Sequence, residues 1–124
     1  MSQEKENRSA EAARLAIEAL ENKKAKEIKV IDISEVSVLA DYFIIANGSS
    51  HPQIQALSDA VTEALGKNGY PVKQTEGYQN AAWILLDFGD VIVHIFDEAN
   101  RLMYDLERIW LDGKQIDPDS LRAE

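Results

Sequence analysis

A chain of 124 residues holds enough apolar side chains for one hydrophobic core and too few for two, so it reads as a single domain. Hydrophobic residues make up 45% and charged residues 28%, and no run approaches the roughly 20 apolar residues of a bilayer crossing; the sequence reads as soluble, with no membrane partner. The formal net charge of −9, from 22 acidic and 13 basic residues, argues for little direct RNA contact, because Lys and Arg carry phosphate affinity, while it suits a basic protein partner.

The first segment, Met1-Ser2-Gln3-Glu4-Lys5-Glu6-Asn7-Arg8, lacks the apolar stretch of a secretory signal and is expected to be a flexible tail over 1–8. With no cysteine there is no disulfide, thiolate zinc site or thiol nucleophile, and the cytoplasm is the expected compartment. From Ser9, a plausible N-cap, Ala13, Ala16, Ile17 and Leu20 recur at helical spacing, which predicts a helix over about 9–22. Ile28, Val30, Ile31 and Ile33 form a β-branched run around Asp32, and Tyr42-Phe43-Ile44-Ile45-Ala46 is apolar on both faces, as a central strand requires.

Asn47-Gly48-Ser49-Ser50-His51-Pro52 is a cluster of turn formers, and Pro52 suits the first turn of a second helix. Ile54, Leu57, Val61, Ala64 and Leu65 stripe that helix until Lys67-Asn68-Gly69, where glycine ends it, and Val72 begins a short strand. Strand, helix and strand make a βαβ unit with parallel strands. Next, 82–87 and 91–96 flank Phe88-Gly89-Asp90, a hairpin signal. If those strands pair simply across a three-residue loop, Trp83, Leu85, Val91, Val93 and Ile95 share one face, and Ile84, Leu86, Ile92, His94 and Phe96 share the other. Asp97 then caps a last helical stretch carrying Leu102, Leu106 and Ile109, before a polar C-terminal tail over 112–124. The expectation is an α/β (α+β) domain over 9–111 with a mixed sheet of about five strands and helices packed on it.

Candidates for chemistry are few. Gly48-Ser49 followed by Asp59 resembles a nucleotidyltransferase pattern, but position 61 is Val61, so the paired carboxylates that two-metal phosphoryl transfer needs are missing. Ser49, Ser50 and His51 are adjacent, yet adjacency does not orient a base against a nucleophile, and helix capping explains them. His51 and His94 have no spacing that places them on one metal, and neither a metal nor a cofactor is expected. Asp87 and Asp90 straddle Gly89 as turn formers. The stretch from Arg101 to Trp110 is rich in Arg, Met, Tyr and Trp, the residue types that anchor interfaces.

Three blocks carry a family resemblance. Leu39-Ala40-Asp41-Tyr42-Phe43 running through Ser50-His51, Trp83 through Asp87-Phe88-Gly89-Asp90 to His94-Ile95-Phe96, and Arg101, Tyr104, Leu106-Glu107 and Trp110 stand in the order and spacing of the ribosomal silencing factor (Iojap-like) family, which the chain resembles over about 9–111. The resemblance implies a nucleotidyltransferase-like fold without catalysis. It also implies binding to ribosomal protein L-fourteen on the large ribosomal subunit, a steric block to joining of the small subunit, and repression of translation when nutrients are scarce. A homodimer is a further partner that the resemblance implies. Trp83, Asp87, Asp90, His94, Tyr104 and Trp110 are the candidate partner-binding residues that follow. The alternatives are a large-subunit assembly or adaptor factor and, against the missing acid, a metal-dependent nucleotidyltransferase.

Overall fold

The computed structural model describes the backbone of residues 2–35, 40–97 and 114–116, and the side chains of residues 8–35 and 40–97. Helix α1, Ser2–Asn22, starts seven residues before the expected N-cap at Ser9, so the segment expected as a tail is helical from its second residue. Gln, Glu and Lys in that segment are good helix formers, which is why periodicity of the apolar residues alone understates the helix. The helix ends in a Schellman motif with Lys24, φ 65°, in the left-handed position: Ala25 N–H donates to Leu20 O at 2.9 Å and Lys24 N–H to Glu21 O at 2.9 Å.

Strand β1, Lys26–Asp32, runs antiparallel to β2, Tyr42–Gly48. Helix α2, His51–Lys67, then begins at the Ser50 N-cap, whose hydroxyl accepts from Gln53 N–H at 3.2 Å, with Pro52 in its first turn. It ends where the sequence places its stop, with Gly69 at φ +90° and Tyr70 N–H donating to Leu65 O at 2.8 Å. Strand β3, Gln74–Glu76, lies two residues beyond the expected start at Val72. The hairpin strands are β4, Trp83–Asp87, and β5, Val91–Asp97. A three-residue strand β6, Lys114–Ile116, falls in the segment expected as a polar tail and pairs antiparallel with β1.

The sheet order is β3-β4-β5-β2-β1-β6. Strands β2 and β5 are parallel, and β5/β4 and β4/β3 are antiparallel, so β2 and β3 point the same way as a βαβ unit requires, with β5 and β4 lying between them. Both helices cover one sheet face, where Ile17 and Leu20 of α1 and Ile54, Leu57, Val61 and Leu65 of α2 are fully buried. They pack on Ile44, Ile84, Leu86, Val93 and Ile95 of the sheet. A second apolar cluster, Ile31, Ile33, Ala40, Phe43, Ile45 and Phe96, occupies the opposite face.

The hairpin register corrects the expected faces. Trp83 stands opposite Phe96, Leu85 opposite His94 and Asp87 opposite Ile92. Phe88 prolongs the ladder by donating its N–H to Val91 O at 3.0 Å, so the chain reverses over Gly89-Asp90 alone, with Gly89 at φ +96°. This register differs by one residue from simple pairing across a three-residue loop, and with a side-chain period of two such a slip exchanges the faces of one strand against the other. Trp83, Leu85 and Asp87 therefore share a face with Ile92, His94 and Phe96, while Ile84, Leu86, Val91, Val93 and Ile95 point to the helices.

Candidate partner-binding site

Four rings assemble on the sheet face away from α1 and α2. Phe43 on β2 meets His94 on β5 edge-on, with centroids 4.9 Å apart, and Trp83 on β4 stacks on Phe96 at 5.1 Å. The Trp83 indole N–H donates to Nδ1 of His94 at 3.0 Å, diagonally across the β4/β5 ladder. Phe96 is fully buried and His94 is 4% exposed, while Trp83 is half-buried. With half-buried Leu85 and Ile92 it forms an apolar strip that reaches solvent, and half-buried Asp87 lies at one end.

Because an indole N–H can only donate, Nδ1 of His94 is the acceptor and the ring proton of the neutral imidazole sits on Nε2. That buried Nε2–H finds no hydrogen-bond partner among the described residues. Burial disfavours the imidazolium and lowers the His94 pKa from 6.5 to about 4, so the ring is uncharged at neutral pH. The cluster is thus a mostly buried, hydrogen-bonded aromatic unit of which half-buried Trp83 is the solvent-facing part.

The other sequence candidates separate. Asp87 Oδ1 accepts from Gly89 N–H at 2.8 Å, and its carbonyl accepts from Lys73 N–H at 2.7 Å, so it braces the reversal as well as sitting on the aromatic face. Asp90 belongs to the reversal, where its carbonyl accepts from the N–H groups of Asp41 and Tyr42 at 2.7 and 3.1 Å, and its residue lines a cleft beside α1. Tyr104 and Trp110 lie outside the described residues, as does the final helical stretch read after Asp97. Phe43 and Phe96 complete the cluster; both stand inside the motif blocks, but only the β2/β5 and β4/β5 registers put them beside Trp83 and His94.

The residues considered for phosphoryl or acyl transfer hold the loop and helix together. Ser49 Oγ donates to Gln53 Oε1 at 2.7 Å, and Ser50 caps α2. His51, exposed, stands 4.0 Å from Asp97. Asp59 lies on the exposed side of α2 and accepts from the Tyr78 hydroxyl at 3.1 Å. No described helix is long and apolar enough to cross a membrane.

Fold and site define an α+β protein with two helices on one face of a mixed sheet and a hydrogen-bonded aromatic cluster on the other. The family model for the ribosomal silencing factor during starvation matches residues 6–124. Ribosomal silencing factor RsfS of Bacillus subtilis is 39% identical over 106 residues, 86% of this chain and 90% of that protein. The protein of the same name from Halalkalibacterium halodurans is 36% identical over 107 residues, 86% of this chain and 92% of that one. A crystal structure of a Chromobacterium violaceum protein superposes with a TM-score of 0.80 at 38% identity, covering 86% of this chain and 88% of the other. The chain belongs to the ribosomal silencing factor family.

Proposed function

We propose that the protein docks onto the large ribosomal subunit through ribosomal protein L-fourteen and, by occupying surface that the small subunit needs, represses translation without making or breaking a bond. Family membership across residues 6–124 carries this reading. The docking surface is the sheet face of Trp83, Asp87 and His94, where half-buried Trp83, Leu85 and Ile92 supply apolar area. Asp90, Tyr104 and Trp110 complete the proposed contact set. The net charge of −9 speeds encounter with a basic ribosomal protein, and the cytoplasm is the compartment in which the proposal places it.

Two ligands that need overlapping surface bind exclusively, so repression follows the factor's concentration relative to its dissociation constant. Sedimentation with separated large subunits, small subunits and joined ribosomes, followed by crosslinking, tests this. The expected result is comigration with free large subunits, crosslinks to ribosomal protein L-fourteen and displacement by excess small subunits. Simultaneous binding of factor and small subunit to one large subunit, with undiminished affinity, overturns the steric block. Preference for immature over finished large subunits would instead favour the assembly-factor alternative.

A further inference from the structure

Away from the aromatic face, a cleft of about 200 Å³ opens between the N-terminal half of α1, the α2–β3 connection and the β4–β5 reversal. Its apolar lining comes from Ala12, Phe88 and Val91, and two cations flank it. The Arg8 guanidinium lies over the Tyr70 ring, 5.1 Å from its centroid, and burial together with the nearby Glu11 carboxylate raises the pKa of the Tyr70 hydroxyl. Lys73, on the connection, carries its ammonium across the reversal: a Cβ added at Gly89 would stand 2.7 Å from Nζ and 3.1 Å from Cε. Its backbone N–H is tied to Asp87 O at 2.7 Å, which fixes where the side chain starts.

Neither Arg8 nor Lys73 makes an ion pair among the described residues, in a chain that carries 22 acidic side chains. Among the described lining residues Arg8 and Lys73 face the single carboxylate of Asp90, and the Glu11 carboxylate stands beyond the Tyr70 ring, on its hydroxyl side. A planar guanidinium and an ammonium that both border one small concavity suit a tetrahedral oxyanion, which takes parallel N–H bonds from the first and a point charge from the second.

We infer that this cleft is a phosphate site, in which Arg8 and Lys73 grip one phosphate oxyanion over Phe88. The same chemistry comes from two sources, free phosphate and an RNA phosphodiester, and the cleft has room for such a group. One isolated contact of this kind is compatible with a surface whose overall charge opposes extended RNA binding.

The test follows amide resonances of Tyr70, Lys73 and Gly89 in the full chain during titration with inorganic phosphate, and separately with a short oligouridylate. Ionic strength is held constant with sodium chloride. The site predicts saturable shifts at these amides with at least one of the two probes. Loss of one charge-assisted hydrogen bond should weaken that binding about tenfold in Lys73→Gln and in Arg8→Gln. The Lys73 side chain is exposed, so Lys73→Gln should keep the parent thermal midpoint, while Arg8→Gln loses the contact with Tyr70 and should lower it slightly; the loss of binding in both is read at the site. Saturation with phosphate identifies a free-ion site; saturation with the oligonucleotide alone identifies a phosphodiester site. Failure of both probes to saturate, or saturation unchanged in both variants, overturns the inference. Because no ribosome enters the experiment, that failure leaves the docking proposal standing on its own test.

Discussion

Trp83 and His94 form one hydrogen-bonded unit: the indole N–H donates to Nδ1 across 3.0 Å, and the donor thereby selects which nitrogen of the imidazole carries the proton. Neither residue is opposite the other in the ladder. The pair is diagonal, made possible because the two-residue reversal sets Leu85 against His94 and Trp83 against Phe96.

Replacing Trp83 by Phe keeps a ring above Phe96 but leaves buried Nδ1 of His94 without a donor. The expected cost is about 1–3 kcal/mol, the penalty of an unsatisfied buried polar group. Urea denaturation of the parent and the variant measures it; equal midpoints would show that the bond contributes nothing to the fold.

The depressed His94 pKa makes stability depend on pH. In the unfolded chain the imidazole protonates near pH 6.5, whereas in the folded chain it does so only near 4. The unfolded state therefore binds the extra proton between these values, and stability present above pH 6.5 is lost as the pH falls toward 4, by about 3 kcal/mol in all. A His94→Phe variant should show a flatter profile across that window than the parent, with the same carboxylate contributions below it. Parallel profiles would mean that His94 does not stay neutral in the folded protein.

Gly89 holds the reversal at φ +96°, where a side chain is strained, and a Cβ there would push against Lys73 Nζ. Since Lys73 can move, the backbone strain dominates, and Gly89→Ala should destabilise by about 1–2 kcal/mol in chemical denaturation with an unchanged m-value.

Lys24 presents the opposite case. It occupies the left-handed position that ends α1, where glycine is the usual residue, so Lys24→Gly should raise stability by about 0.5–1 kcal/mol. A lowered melting temperature would show that the Lys24 side chain makes a contribution greater than the strain it carries.

Much of the architecture was legible in the sequence. Ser50-His51-Pro52 and Asn68-Gly69 mark both ends of α2, because capping is local chemistry between residues three to five apart. The alternation of apolar segments likewise separates β2, β4 and β5. The N-terminal reach of α1 was hidden, since residues 2–8 carry no apolar stripe, and β6 was hidden because three residues are too few to show a period. Of the site, Trp83, Asp87 and His94 were singled out by their motif, but their common face was not. Apolar side chains on both faces of β4 and β5 remove the alternation that would have pinned the register.

The sequence by itself determined the kind of elements, most of their ends and the family, because each rests on residues near one another along the chain or on a pattern of residue types. Only the tertiary structure decided which residues meet. The Phe88–Val91 bond shifts the hairpin by one residue and so places Trp83 on His94 and Phe96, while the α1 and α2–β3 segments bring Arg8 and Lys73 to the same cleft across 65 positions of sequence. Such meetings depend on strand register and packing over long separations, which local propensity does not encode.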